Sequence, residues 1–133
     1  MARADTILIA VRDGVLADSL RFSLELEGFD TRFCDEHSLC PLMNAPCLRS
    51  ACLVLDQDVF SRVVDDGAGE LFAGQSMPVI LMVSQKTERI LAQAKVGGVT
   101  TVLEKPILGG ILFDTIRQEI ERKEHSSRGA RSS

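Results

Sequence analysis

Residues 51–58, Ala51-Cys-Leu-Val-Leu-Asp-Gln-Asp58, run five apolar side chains directly into two carboxylates separated by one residue. An unbroken apolar run of this length is the pattern of a strand covered on both faces, which occurs where a parallel sheet lies between layers of helix. The acids that end it are either a polar stop or the working end of a site.

Two further stretches repeat the pattern: Thr6 to Val11 (TILIAV), followed by an Asp13-Gly14 turn signal, and Met77 to Val83 (MPVILMV). Between these runs the period changes. Leu16, Leu20 and Leu24, with Phe22 and Leu26, recur at helical spacing, and Gly28 stands where a left-handed C-terminal residue would close the helix. Phe29 to Cys34 alternates weakly, as an edge strand does, and the segment with Pro41 and Pro46 reads as a short irregular helix and loop. Asp65 to Gly74 has room for only a short helix, weakened by Gly67 and Gly69. Thr87 to Val96 is a helix ending at Gly97-Gly98, Val99 to Leu103 a β-branched strand, and Ile111 to Lys123 a final helix with Leu112, Ile116 and Ile120 on one face. The expected fold is a single-domain (βα)5 α/β architecture of flavodoxin-like type, a doubly wound parallel five-stranded sheet over residues 1–123. A polar tail over 124–133 is expected to lack structure.

The chain has 133 residues, a net charge of -4 and a pI near 5.1, which argues against a phosphate-backbone binder; no nucleic acid partner is expected. No apolar run approaches the roughly 20 residues needed to span a bilayer, so no membrane partner is expected and the reading is cytoplasmic. Cys34, Cys40, Cys47 and Cys52 suit free thiols in a reducing compartment. Cys34-x2-His37-x2-Cys40 with Cys47 offers the ligand types of a zinc site, but no pair has the C-x2-C spacing that makes such a signal strong.

In open α/β sheets, sites form beyond the C-terminal ends of the strands. There this sequence places Arg12 and Asp13, then Asp56 and Asp58, then Ser84, then Glu104-Lys105-Pro106. With TILIAV, Glu27-Gly28-Phe29, LVLD, PVILMVS and GGVTTVLEKP, this arrangement resembles the receiver domain of bacterial response regulators across residues 5 to 122. The resemblance implies a non-enzymatic module of two-component signal transduction. Asp56 takes the position of the phosphoryl acceptor, Lys105 that of the lysine that reads the phosphate, and Pro106 that of a proline preceded by a cis bond. The family's Mg²⁺ is held by the acceptor, an acidic pair and a backbone carbonyl two residues after the acceptor. Asp13, Asp56 and Asp58 are the candidate metal-site residues here, and Mg²⁺ is doubtful as a cofactor.

The departures from the pattern carry as much as the matches. The acidic-pair positions hold Val11 and Arg12, the Thr/Ser switch position holds Val83 with Ser84 one place later, and the aromatic switch position holds Val102. A guanidinium forks onto carboxylates, so Arg12 is a candidate to stand beside Asp56 in place of a metal, and Asp13 is a candidate helix cap. Three readings follow. The first is a stand-alone pseudo-receiver that acts by protein–protein interaction, with little or no Mg²⁺-dependent phosphorylation. The second is a working receiver phosphorylated on Asp56 by a partner histidine kinase. The third, a flavodoxin-like nucleotide or flavin binder, lacks a glycine-rich phosphate loop after the first strand. The expected contact face, used by the family for homodimers, is the fourth helix, fifth strand and last helix, with Lys86, Glu88, Arg89, Gln93, Lys95, Arg117, Glu121 and Arg122 as its polar surface.

Overall fold

The computed structural model of the chain describes residues 6–34, 50–65, 67, 72, 77–107 and 110–132. Its strands are β1 (Thr6–Ala10), β2 (Asp30–Phe33), β3 (Ser50–Asp56), β4 (Val79–Val83) and β5 (Thr101–Glu104). They form one parallel sheet in the order β2-β1-β3-β4-β5, so the strand ending in Asp56 is central. The described helices are α1 (Gly14–Leu26), α2 (Gln57–Asp65), α3 (Glu88–Gly97) and α4 (Ile111–Ser132). The irregular segment around Pro41 and Pro46 lies outside the described residues, as do His37, Cys40 and Cys47.

Strand alternation divides the core between the two faces of the sheet. Leu53, Leu55, Leu81 and Val83 point to the face covered by Val59, Phe60 and Val63 of α2 and by Ile90 and Ala94 of α3. Cys52, Val54, Ile80 and Met82 point to the face covered by Ala17 and Leu24 of α1 and by Leu112 and Ile116 of α4. Fully burying each such aliphatic side chain contributes about 1.5–3 kcal/mol. That is why these runs, rather than the weakly alternating β2 at the edge, carry the core.

Helix ends follow the local chemistry. Asp13 caps α1, its Oδ1 accepting from Val15 N at 3.0 Å and Leu16 N at 3.2 Å, while Thr87 Oγ1 accepts from Ile90 N at 3.2 Å at the start of α3. Beyond α1 and α3 the chain turns at Gly28 (φ 94°) and Gly98 (φ 88°), left-handed conformations that disfavour any side chain. The last helix continues to Ser132, past the end at Lys123 that its apolar repeat predicts, and no proline interrupts it.

The segment after Asp56 differs from expectation. A helix begins at Gln57 with no intervening loop, one that the sequence pattern does not predict, while most of the short helix expected over Asp65 to Gly74 lies outside the described residues. The cause is the spacing of Val59, Phe60 and Val63, at i, i+1 and i+4, which lays all three against the sheet at 3% exposure or less.

Candidate functional site

Asp56 is the last residue of β3 and is 3% exposed. Two residues after Val54, its side chain leaves the sheet on the α1/α4 face, the same face as its register partner Met82. Lys105 is brought to it by an extension of β5: Lys105 N donates to Val83 O at 2.7 Å, one step beyond the Val83–Glu104 register. Lys105 Nζ then lies 2.6 Å from Asp56 Oδ1. The contact is short, yet Oδ1 has no aligned hydrogen-bond donor among the described residues, so the pair is held by charge rather than by directed N–H···O bonding. The Lys105–Pro106 peptide is cis, as the resemblance implies.

The surrounding positions are less concerted. Arg12 is exposed and makes no ion pair with Asp56; β1 ends at Ala10, leaving Val11, Arg12 and Asp13 in the turn before α1. The anticipated Arg12–Asp56 pair is therefore corrected to Lys105–Asp56 alone. Val83 is fully buried and packs on the α2/α3 face, opposite to the face from which Asp56 emerges. Ser84 is exposed, and its backbone N–H donates to Gln57 Oε1 at 3.0 Å, tying the end of β4 to the first residue of α2. Val102 is half-buried against the α2/α3 cluster.

Sequence reasoning missed Glu119. It is 4% exposed on α4 and accepts from Thr101 Oγ1 of β5 at 2.7 Å, with Arg122 Nη2 3.6 Å away. Its position three residues after Ile116 was the available signal, since that spacing returns it to the buried face. Arg117, assigned from sequence to the contact face with α3 and β5, instead reaches Glu27 at the end of α1, at 3.0 Å.

No protein-family model and no curated protein matches the sequence. Solved structures do match. A response regulator receiver domain protein (CheY-like) from Methanospirillum hungatei JF-1 superposes with a TM-score of 0.75 at 18% identity, covering 93% of this chain and 99% of that one. The chain has the receiver-domain fold. Full-length FixJ from B. japonicum gives a TM-score of 0.74 at 22% identity over 96% of this chain and 63% of its own length. The signal receiver domain of a modulated diguanylate cyclase from Desulfovibrio desulfuricans G20 gives 0.69 at 22% identity, over 93% and 99%.

A receiver fold implies a divalent cation beside the acceptor, and the residues present do not fit one. Such an ion needs several hard oxygen ligands. Asp56 supplies a carboxylate already paired with Lys105, Val11 supplies none, and Arg12 brings a positive charge. Asp13 is committed to the N–H groups of α1. Asp58 is exposed in the first turn of α2, where helical geometry aims its carbonyl along the axis at the N–H of Arg62. Among the described residues no group of three His, Cys, Asp or Glu side chains is placed to hold a metal.

Proposed function

We propose that this protein is a receiver-like signalling module that works through contacts with other proteins, without Mg²⁺-dependent phosphorylation of Asp56. The observation that carries this reading is the state of the acceptor itself. Asp56 is buried and paired with Lys105, and among the described residues no second carboxylate is placed with it to hold a cation. Transfer of a phosphoryl group to a carboxylate brings two anions together and depends on a cation to offset their charge. Lys105 supplies one positive charge, and it is already matched by Asp56 itself.

The fold similarity supports a role in two-component signalling, where the partner is a sensor kinase or another protein of the pathway. Contact surfaces are available on two sides. Val15, Phe22 and Leu26 on α1 are 82%, 67% and 70% exposed, and Val96 on α3 is 63% exposed. The α3–β5–α4 face carries the charges suited to a two-fold homodimer, less Arg117. We place the protein in the cytoplasm on the same reading.

A second reading has one observation in its favour: Asp56 and Lys105 occupy positions that suit a phosphorylatable receiver, 2.6 Å apart. A single experiment separates the two. The protein is incubated with acetyl phosphate, with and without Mg²⁺, and analysed by intact mass beside a conventional receiver. We expect no adduct under conditions that label the control. A Mg²⁺-dependent phosphoryl addition that vanishes in Asp56→Asn would establish the second reading instead.

A further inference from the structure

Between α1 and the segment that leads from β5 into α4 lies an open groove of about 650 Å³. Its walls are Leu20, Leu24, Met82, Leu112 and Phe113, and Lys105 lines it from the Asp56 end. Lys105 is the only charged side chain among the described lining residues; the other polar ones are serines, Ser19, Ser23 and Ser84. The volume falls within the roughly 300–1,000 Å³ of small-molecule sites, which combine apolar walls with a few polar groups that fix orientation.

An ammonium group has three N–H donors. Lys105 directs its charge at Asp56 Oδ1, while its side chain remains 33% exposed and borders the groove. An anion entering the groove therefore meets an ammonium whose charge it would share with Asp56, and no acidic side chain on the described walls. A neutral apolar ligand would leave those donors unmatched, and a cationic one would face like charge.

We propose that this groove binds a small apolar molecule with a single anionic head group, of the medium-chain or aryl carboxylate class, the head group resting on Lys105 and the apolar body against Met82, Leu112 and Phe113. Lys105 then bridges the ligand and Asp56, so occupancy of the groove bears directly on the buried pair. This goes beyond the proposed function and does not depend on whether Asp56 accepts phosphate.

The test is calorimetric titration of the unsubstituted protein with decanoate, decan-1-ol and decylammonium, with amide NMR shifts to locate binding. Decanoate is expected to bind about tenfold or more tightly than the alcohol, the difference that a charge-assisted contact supplies, and decylammonium not to bind. Perturbed amides should be confined to α1, Met82, Ser84, Lys105, Ile107 and the first turn of α4. Lys105→Met should reduce decanoate affinity to that of the alcohol or below it, because Asp56 is then left unpaired, and leave the alcohol unchanged. Equal affinity for decanoate and decanol, absence of decanoate binding up to its solubility, or shifts centred away from the groove would each overturn the proposal. The three-ligand comparison on the unsubstituted protein decides the matter even where Lys105→Met does not fold.

Discussion

Lys105 and Asp56 meet at 2.6 Å although they come from β5 and β3, strands separated in the sheet by β4. The ammonium spans the end of the intervening strand to reach a carboxylate that is otherwise walled off from water. Removing the lysine strands that carboxylate, so Lys105→Met is expected to cost about 2 kcal/mol, below the 3–5 kcal/mol of a fully buried pair because the lysine is one-third exposed. Asp56→Asn in the same background should recover most of the loss. Urea unfolding of the single and double variants measures the coupling, and strictly additive costs would show that the pair contributes nothing.

Placing acids at Val11 and Arg12 should create a cation response that the unsubstituted chain is expected not to show. Val11→Asp/Arg12→Asp adds two carboxylates in the turn just beyond the Ala10–Leu55 register, at the strand edge where Asp56 stands, and millimolar Mg²⁺ is expected to raise the melting temperature by relieving repulsion among these acids. The unsubstituted protein should show no Mg²⁺-specific shift beyond that of NaCl at matched ionic strength. A shift of equal size in both proteins would contradict the geometry described for Val11 and Arg12.

Asp13 caps α1, and its loss is expected to be felt as helix stability alone. Asp13→Ala is expected to cost about 1 kcal/mol, and Asp13→Ser, which keeps an oxygen acceptor, a few tenths. Chemical denaturation with and without Mg²⁺ checks both halves of the statement. A Mg²⁺-dependent difference between the aspartate and the serine would place the side chain at a cation instead.

Among the described residues Glu119 is the other buried acid, and Thr101 supplies its 2.7 Å hydrogen bond. Thr101→Val removes the donor with little change of shape and should cost about 1–3 kcal/mol, as for a buried charged group left under-satisfied. Arg122→Ala should cost less than about 1 kcal/mol, because its guanidinium lies 3.6 Å away and its side chain is 69% exposed. Thermal unfolding of the two variants gives the comparison.

Much of the architecture was legible from the apolar runs. The cores of β1, β3 and β4 could be read because strands buried on both faces leave no polar residue to confuse the period, and Gly28 and Gly98 marked the ends of α1 and α3. The pairing of Asp56 with Lys105 was also legible, since topology alone carries both residues to the same edge. Helix α2 was not, because the apolar spacing of Val59, Phe60 and Val63 follows two acids that read as a loop. The direction of Arg12 was hidden for another reason. It lies in a turn, where neither period 2 nor period 3.6 constrains a side chain. Val83, which the resemblance sets at the switch position beside the site, is instead turned by strand alternation to the face opposite Asp56.

The direct passage from β3 into α2 bears on what substitution at this sheet edge could achieve. Exchanging Val11 and Arg12 for acids is a matter of two codons, yet the Asp58 carbonyl would still be turned along the helix axis, held by the burial of Val59, Phe60 and Val63. Freeing it demands a change in chain length or the unwinding of a packed helical turn. Point substitution alone would therefore supply side-chain oxygens but not that carbonyl, so building a cation site at this sheet edge takes a change of backbone as well as of side chains.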